Sequence, residues 1–321
     1  MLAAMCIAEL RSLRDPEQTC TMLRATEAEG NSPCVPPAMK DVVPKTFPMP
    51  PEMRGEAAPG AYEVRTGDGD PADASHAIFP IVKYDPDSRP HLIGTGFFVS
   101  NMGLFVTARH VLLAAFDEHG HQRDPIGIIQ FLPNGTYLRR PILRCTTHRI
   151  ADVAVGVAAP MSNNKDGTPL TNRVLTLTVD PPNIGTRVVT FAYPKHINLI
   201  GDVQILSFAP TWFDGKIEEH LTAGRDRVVL PGPCYQTSIV IHGGASGGPV
   251  FCPSGCVFGV NSTGFDGTDI SYVSRVNETL TLTVEGVSMG GDLPRMTSAM
   301  EMVREGHLLV KPSPHDMEGD G

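Results

Sequence analysis

The segment IHGGASGGPVF, residues 241–251, places one serine, Ser246, between two pairs of glycines at 243–244 and 247–248. A tight turn needs only one or two residues at positive φ, so four glycines around one hydroxyl exceed what a turn requires. The pattern suits a backbone that approaches another molecule closely with its amide hydrogens directed outward. Such amides stabilise charge that develops on a carbonyl oxygen, and the serine between them would be the nucleophile. This interpretation requires a histidine base and a carboxylate elsewhere in the chain.

The composition excludes several other classes of function. The chain has 321 residues, is 41% hydrophobic, and carries a net charge of −9 with a pI near 5.6. It has no block of Lys and Arg of the kind that contacts phosphates, so we expect no nucleic-acid partner. No apolar run approaches the length of a membrane span, and no phosphate-binding loop or metal-ligand spacing is present. We therefore expect no membrane span, no metal and no cofactor.

The texture of the sequence changes near residue 76. Residues 1–75 include a proline-rich stretch at 31–60, which can form neither a sheet nor a helix, so we predict a largely disordered extension that adds little to the core. Beyond residue 76, short β-rich runs alternate with turn signals, which favours barrels or a sandwich. Only residues 294–310 near the end follow the pattern of an amphipathic helix.

Two residues satisfy the requirement for a base and a carboxylate. His110 ends the run GTGFFVSNMGLFVTARH, at the junction of a strand and a turn. Asp152, in HRIADVAVGVAA, opens an apolar strand, where a carboxylate is costly to bury without a partner. Each has a plainer interpretation, as a core histidine or a strand-edge carboxylate, and Asp117 is a rival for the acid. The order His110, Asp152, Ser246 decides between these, because it is that of a known catalytic triad.

With these residues in order, the chain resembles a trypsin-like serine peptidase of the chymotrypsin fold and of bacterial type. The segments GTGFFVS, VTARHV, ADVAV, YQTSIVIHGGASGGPVF and FGVNSTG carry the resemblance, which is closest to the protease domain of the HtrA/Deg group. It covers roughly residues 76–290. With 75 residues after Ser246, most of them needed for the second barrel, we expect no appended PDZ domain.

The resemblance implies an all-β fold of two packed six-stranded antiparallel β-barrels. The expected division is an extension at 1–75, a first barrel at 76–180 carrying His110 and Asp152, a second barrel at 181–290 carrying Ser246, and a C-terminal helix and tail at 291–321. It also implies that His110 is the general base, that Asp152 orients it, and that the amides of Gly244 and Ser246 form the oxyanion hole.

The same resemblance assigns a primary specificity pocket. Val240, six residues before the serine, would lie at its base, and Ser262, Thr263 and Gly264 would pair with the substrate backbone. A basic side chain opposite a valine would have no charge partner. We therefore expect small or medium apolar residues before the cut, with a protein or peptide as substrate.

Ala245 stands where relatives activated by cleavage carry an aspartate that pairs with the new N-terminal ammonium. A new N-terminal ammonium would have no charged partner at Ala245, so activation by cleavage could not work in this form. We therefore expect the full-length chain to be active without processing. The alternative to an active serine endopeptidase is a peptidase-like protein of weak activity that binds peptides between the barrels.

Two further features leave alternatives open. Seven cysteines without a dense framework fit a reducing compartment, and only Cys252 and Cys256, which flank the turn PSG, are placed to form a disulfide. The first fifteen residues lack the basic leader of a secretory signal, which favours the cytoplasm; export remains the alternative if the start lies elsewhere. The sequence leaves the oligomeric state open.

Overall fold

The computed structural model describes residues 47–54, 61–64 and 73–311, except for gaps at 87, 118, 120, 133–136, 163–168, 195, 201–202, 266–267 and 288–294. Most of the predicted extension, including the proline-rich stretch up to residue 46, lies outside the described residues. Two units of antiparallel strands dominate the part that is described.

The first unit is a closed barrel of six strands. These are β1 (Ile78–Tyr84), β2 (Pro90–Phe98), β3 (Leu104–Thr107), β4 (Ile126–Phe131), β5 (Tyr137–Thr147) and β6 (Ala154–Ala158). The order around the barrel is β1-β2-β3-β6-β5-β4, and every pairing is antiparallel. Aromatic rings fill the interior. The centroid of the Phe79 ring lies 4.5 Å from the centroid of the Phe98 ring and 5.5 Å from that of the Phe105 ring. Burial of these rings stabilises the barrel. Closure of the barrel also leaves no strand edge exposed.

Fourteen further strands lie in the described remainder of the chain. They are β7 (Met161–Ser162), β8 (Pro169–Leu170), β9 (Leu177–Thr178), β10 (Arg187–Ala192), β11 (His196–Ile200), β12 (Val203–Ser207), β13 (Thr211–Leu221), β14 (Cys234–Thr237), β15 (Pro249–Phe251), β16 (Val257–Gly264), β17 (Ser271–Arg275), β18 (Thr283–Val287), β19 (Arg295–Ser298) and β20 (Val310–Lys311). Six of them form the second barrel in the order β10-β13-β14-β17-β16-β15, and the pairing of β15 with β10 closes it. Strands β9 and β20 extend the sheet beside β16 in parallel register.

The predicted all-β fold with two six-stranded antiparallel barrels is therefore confirmed. The described helices are short: α1 (Pro51–Arg54), α2 (Arg109–Leu113), α3 (Ala299–Arg304) and two 3₁₀ turns at Ala74–His76 and Val276–Thr281. None of the described helices is long and apolar enough to cross a membrane.

The C-terminal helix is shorter than the predicted amphipathic segment. Residues 295–298 pair with β18 as a strand, and α3 begins only after Ser298, whose hydroxyl accepts the Glu301 amide as an N-cap. Buried residues of 276–311, among them Val284 and Met302, pack into the same core cluster as the first barrel. The domain boundaries at 76, 181 and 291 stay predictions.

Part of the predicted extension is built into the core. Met49, Tyr62 and Val64 are buried in the main hydrophobic cluster. The Tyr62 hydroxyl donates to the Arg187 carbonyl at 2.6 Å, and its amide donates to the Pro253 carbonyl at 2.9 Å. The described residues 47–54 and 61–64 thus contribute more to the core than the proline-rich composition predicts, because a few of their apolar side chains are buried there.

The turn PSG connects β15 and β16, which pair as an antiparallel hairpin. The Cys252 amide donates to the Cys256 carbonyl at 3.0 Å, so the two cysteines face each other, but both are free thiols. The Cys252 thiol instead contacts the Ser254 hydroxyl at 3.1 Å.

Candidate active site

His110 lies in α2, the short helix that follows β3 of the first barrel. Its backbone amide is in the first turn, where a helix has no internal acceptor for it. Asp152, which precedes β6, supplies that acceptor: Oδ1 accepts the His110 amide at 3.0 Å, and Oδ2 accepts the ring Nδ1–H at 2.8 Å. One carboxylate therefore caps the helix and fixes the orientation of the imidazole, and the His110 side chain is 51% exposed.

Asp152 is 8% exposed, yet its environment favours the charged form. Burial by itself raises the pKa of this carboxyl group. The hydrogen bond and charge of the His110 ring, the Ser262 hydroxyl and the His110 amide outweigh burial, so the pKa lies below its usual value. Asp152 is therefore ionised at neutral pH and can stabilise a protonated imidazole.

Ser262 connects the two halves of the site. Its hydroxyl donates a short hydrogen bond to Asp152 Oδ2, and its carbonyl accepts the Ser246 hydroxyl at 3.0 Å. The sequence assigned Ser262 only to the strand that pairs with substrate and missed its contact with Asp152. Local sequence carries no signal for that contact, since the two residues are 110 positions apart and belong to different barrels.

Ser246 itself is half-buried at the junction of the two barrels. Its hydroxyl donates to the Ser262 carbonyl, and among the described contacts it forms no hydrogen bond with His110. The structure thus brings His110 and Asp152 into direct contact and joins Ser246 to them through Ser262.

The amides around Ser246 divide into bonded and unbonded donors. The amides of Ala245, Gly247 and Gly248 donate to main-chain carbonyls at 3.0, 2.7 and 3.1 Å. Within the described part of the chain, the amides of Gly244 and Ser246 have no acceptor. These are the two donors that the sequence assigned to an oxyanion hole.

The turn before the serine has a defined type. The Ala245 amide bonds to the His242 carbonyl, and Gly244, the third residue of this four-residue turn, has φ of 93°. Positive φ at that position is the mark of a type II turn and favours glycine. Gly244 is therefore required by the backbone and not only by the space that a substrate needs.

Gly247 is required by close packing between the barrels. Its φ is 87°, and a Cβ there would lie 2.1 Å from Thr107 Oγ1 and 2.2 Å from the Thr95 carbonyl. Only a residue without a side chain lets the serine loop lie this close to β2 and β3. Two of the four glycines around Ser246 are thus required by the fold itself, Gly244 by its turn and Gly247 by a close contact between the barrels.

The assigned pocket residues lie on neighbouring segments. Val240 is 42% exposed, and Thr263 and Gly264 are half-buried at the end of β16. A Cβ on Gly264 would lie 2.9 Å from Ile241 Cγ1, so the Ile241 side chain occupies the space beside this glycine. The sequence did not single out Ile241, whose side chain lies against this glycine.

The rival acid, Asp117, lies elsewhere. It accepts the His119 and His121 amides at 2.9 and 2.8 Å and contacts His121 Nδ1 at 3.2 Å in an exposed loop. Asp152 and not Asp117 pairs with His110. In the described part of the chain, no group of three or more His, Cys, Asp or Glu side chains is arranged to hold a metal ion.

Two closed six-stranded barrels, with an Asp–His pair on one and a glycine-flanked serine on the other, define a fold of the chymotrypsin-like class. Residues 94–260, more than half of the chain, match the family described as the trypsin-like peptidase domain. The chain belongs to this family, and its class is that of a protease.

Two solved structures illustrate what this chain is similar to. The Rv3671c protease from M. tuberculosis in its active form is 18% identical, with 64% of this chain and 78% of that chain covered and a TM-score of 0.44. Deg5 is 20% identical, with 63% of this chain and 85% of that chain covered and the same TM-score of 0.44. No curated protein matches this chain.

Proposed function

We propose that this protein is a serine endopeptidase that uses His110, Asp152 and Ser246 as a catalytic triad. The observation that carries the proposal is the continuous set of contacts from the His110 ring through Asp152 and Ser262 to the Ser246 hydroxyl. A structural role alone would not require a buried carboxylate to bind both the amide and the ring of one half-exposed histidine.

The reaction follows from these positions. Ser246 Oγ forms a bond to the scissile carbonyl carbon as its proton passes to His110 Nε2, and the carbonyl π electrons move onto oxygen. The free amides of Gly244 and Ser246 bind that oxyanion. The imidazolium, stabilised by ionised Asp152, then protonates the leaving amine as the C–N bond breaks. Water hydrolyses the resulting acyl-enzyme by the same steps in reverse roles.

The substrate preference that we propose is for small or medium apolar residues before the cut. Val240 offers no charge to a basic side chain, and Ile241 beside Gly264 limits the width of the pocket. In a peptide-library digest we expect cleavage after Ala or Val to exceed cleavage after Lys or Arg. Val240→Asp should raise the relative rate after Lys and Arg, and a wild-type preference for basic residues would contradict the pocket assignment.

A second candidate is a peptidase-like protein of weak activity that binds peptides between the barrels. The hydrogen bond from Ser246 to Ser262, in place of one to His110, favours this alternative. An activated serine distinguishes the two functions, because only a nucleophile with a working base reacts rapidly with a fluorophosphonate probe.

The test combines probe labelling with peptide hydrolysis. Wild type should label at Ser246, and Ser246→Ala should not. Asp152→Asn should lower turnover by about 10⁴-fold, because an asparagine would hold the imidazole in the wrong tautomer for accepting the serine proton. Asp117→Asn is the matched control, since it changes an Asp–His contact outside the site and should leave turnover unchanged. A Ser246→Ala variant that keeps a tenth of wild-type turnover would show that another residue is the nucleophile.

A further inference from the structure

Thr95, in β2, lies in the segment GTGFF whose role in the site is not explained by the triad. It is fully buried, and its hydroxyl donates to the Gly244 carbonyl at 2.8 Å while accepting the Tyr193 amide at 3.1 Å. Its backbone amide donates to the Ser246 carbonyl at 2.8 Å. A single first-barrel residue therefore binds the two second-barrel residues whose amides are unbonded.

These contacts fix two peptide planes. A peptide unit is planar, so binding its carbonyl and its amide together fixes its orientation. In the unit 244–245, the carbonyl accepts the Thr95 hydroxyl and the amide donates to the His242 carbonyl at 3.0 Å. In the unit 246–247, the carbonyl accepts the Thr95 amide and the amide donates to the Asn261 carbonyl at 2.7 Å. The units that carry the unbonded amides lie directly before each of these.

The turn at 242–245 carries the Gly244 amide. Ala245 is fully buried among apolar side chains of the second barrel, so no ion pair at this position orients the turn. No atom lies within 4 Å of the position that a Cβ on Gly243 would occupy, so side-chain packing does not restrict the conformation of Gly243. Hydrogen bonds to the neighbouring peptide units therefore restrain the turn that carries the Gly244 amide.

We propose that Thr95 is a positioning residue that keeps the Gly244 amide directed outward, and that it takes the place of a buried ion pair in organising the oxyanion hole. The inference rests on the proposed function, since the outward amide matters only if an oxyanion forms there. Loss of the hydroxyl releases the Gly244 carbonyl and leaves the Tyr193 amide without its acceptor, so the turn loses its outward orientation.

The experiment compares Thr95→Val, which keeps the shape and removes the hydroxyl, with Thr95→Ser, which keeps the hydroxyl. Thr279→Val is the matched control, because Thr279 is also buried and its hydroxyl donates to a main-chain carbonyl, that of Val276, at 2.5 Å in a 3₁₀ turn. For each full-length protein, peptide hydrolysis gives kcat, calculated per titrated active site, and KM. The inhibition constant of an apolar peptide boronic acid is measured on the same proteins. That inhibitor forms a tetrahedral adduct with the serine and places an oxygen in the hole.

Thr95→Val should lower kcat by about 10- to 100-fold with little change in KM, since a misplaced donor costs less than the 10²- to 10³-fold of a deleted one. Binding of the boronic acid should weaken by a similar factor, because both depend on the same amide. Thr95→Ser should stay within about threefold of wild type in both measurements. Thr279→Val should lose thermal stability with unchanged kcat per titrated site.

Unchanged kcat and inhibitor affinity in folded Thr95→Val would overturn the inference while the proposed function stands. Equal losses in Thr95→Ser and Thr95→Val would also overturn it, since packing and not the hydroxyl would then be responsible. If Thr95→Val does not fold, the same comparison is made with Thr95→Ala against Thr95→Ser. A wild type that neither cleaves peptides nor binds the boronic acid would overturn the proposed function itself.

Discussion

Replacing Gly244 by alanine tests whether the turn before the serine creates the oxyanion hole. Gly244 has φ of 93°, where an L-residue costs roughly 1–2 kcal/mol more than glycine. A type I turn avoids that cost and can keep the hydrogen bond from the Ala245 amide to the His242 carbonyl, because both turn types share it. Alanine therefore favours a turn in which the 243–244 peptide is reversed and the amide of residue 244 points away from substrate.

The size of the effect follows from this strain. A shift of roughly 1–2 kcal/mol between the two turns corresponds to about a 5- to 30-fold change in their ratio. Complete reversal would remove one oxyanion donor, which costs about 10²- to 10³-fold in kcat. Because kcat follows the population of the outward turn, we expect Gly244→Ala to lower kcat by up to about 30-fold, with KM little changed.

The assay is hydrolysis of a peptide anilide with an apolar residue before the cut, measured per titrated active site. Gly243→Ala is the first control, since Gly243 is not at positive φ and has open space around its Cβ position. Gly306→Ala is the second, because Gly306 has φ of 75° with nothing nearby and lies outside the site. Wild-type kcat in Gly244→Ala, with the variant stably folded, would refute the reasoning about the turn.

Three further predictions concern stability. Deletion of residues 1–46 should leave activity within about tenfold of wild type. Deletion of residues 1–70 should in addition lower the melting temperature, because the buried side chains of Met49, Tyr62 and Val64 are lost. Intact mass and thermal unfolding are measured for both variants. Gly255→Ala should destabilise the protein more than Gly306→Ala, because a Cβ on residue 255 would lie 2.2 Å from the Glu63 carbonyl, whereas the space around Gly306 is open. Urea unfolding measures the difference in unfolding free energy between the two variants. The lowered pKa of Asp152 stabilises the folded state above the unfolded-state pKa, near 4, and this contribution is lost as pH falls through the lower folded-state pKa. The difference in unfolding free energy between wild type and Asp152→Asn should therefore shrink between about pH 5 and pH 3 in urea titrations.

The sequence determined the class of fold because strand patterning and turn signals are local. Short β-rich runs separated by turns predict an all-β architecture, and the glycines around Ser246 mark a backbone that must turn sharply and approach another segment closely. The order His110, Asp152, Ser246 in the sequence predicts a catalytic triad, and the structure pairs Asp152 with His110.

Tertiary structure decided the contacts that join distant parts of the chain. The position of Thr95 beneath the serine loop, the contact of Ser262 with Asp152 and the burial of Met49 and Tyr62 all depend on how the barrels close and pack. Hydrogen bonds and apolar contacts across such separations leave no periodicity or motif in the sequence. For that reason the chain alone predicted which residues could do the chemistry, and only the packed barrels decided which residues hold them in place.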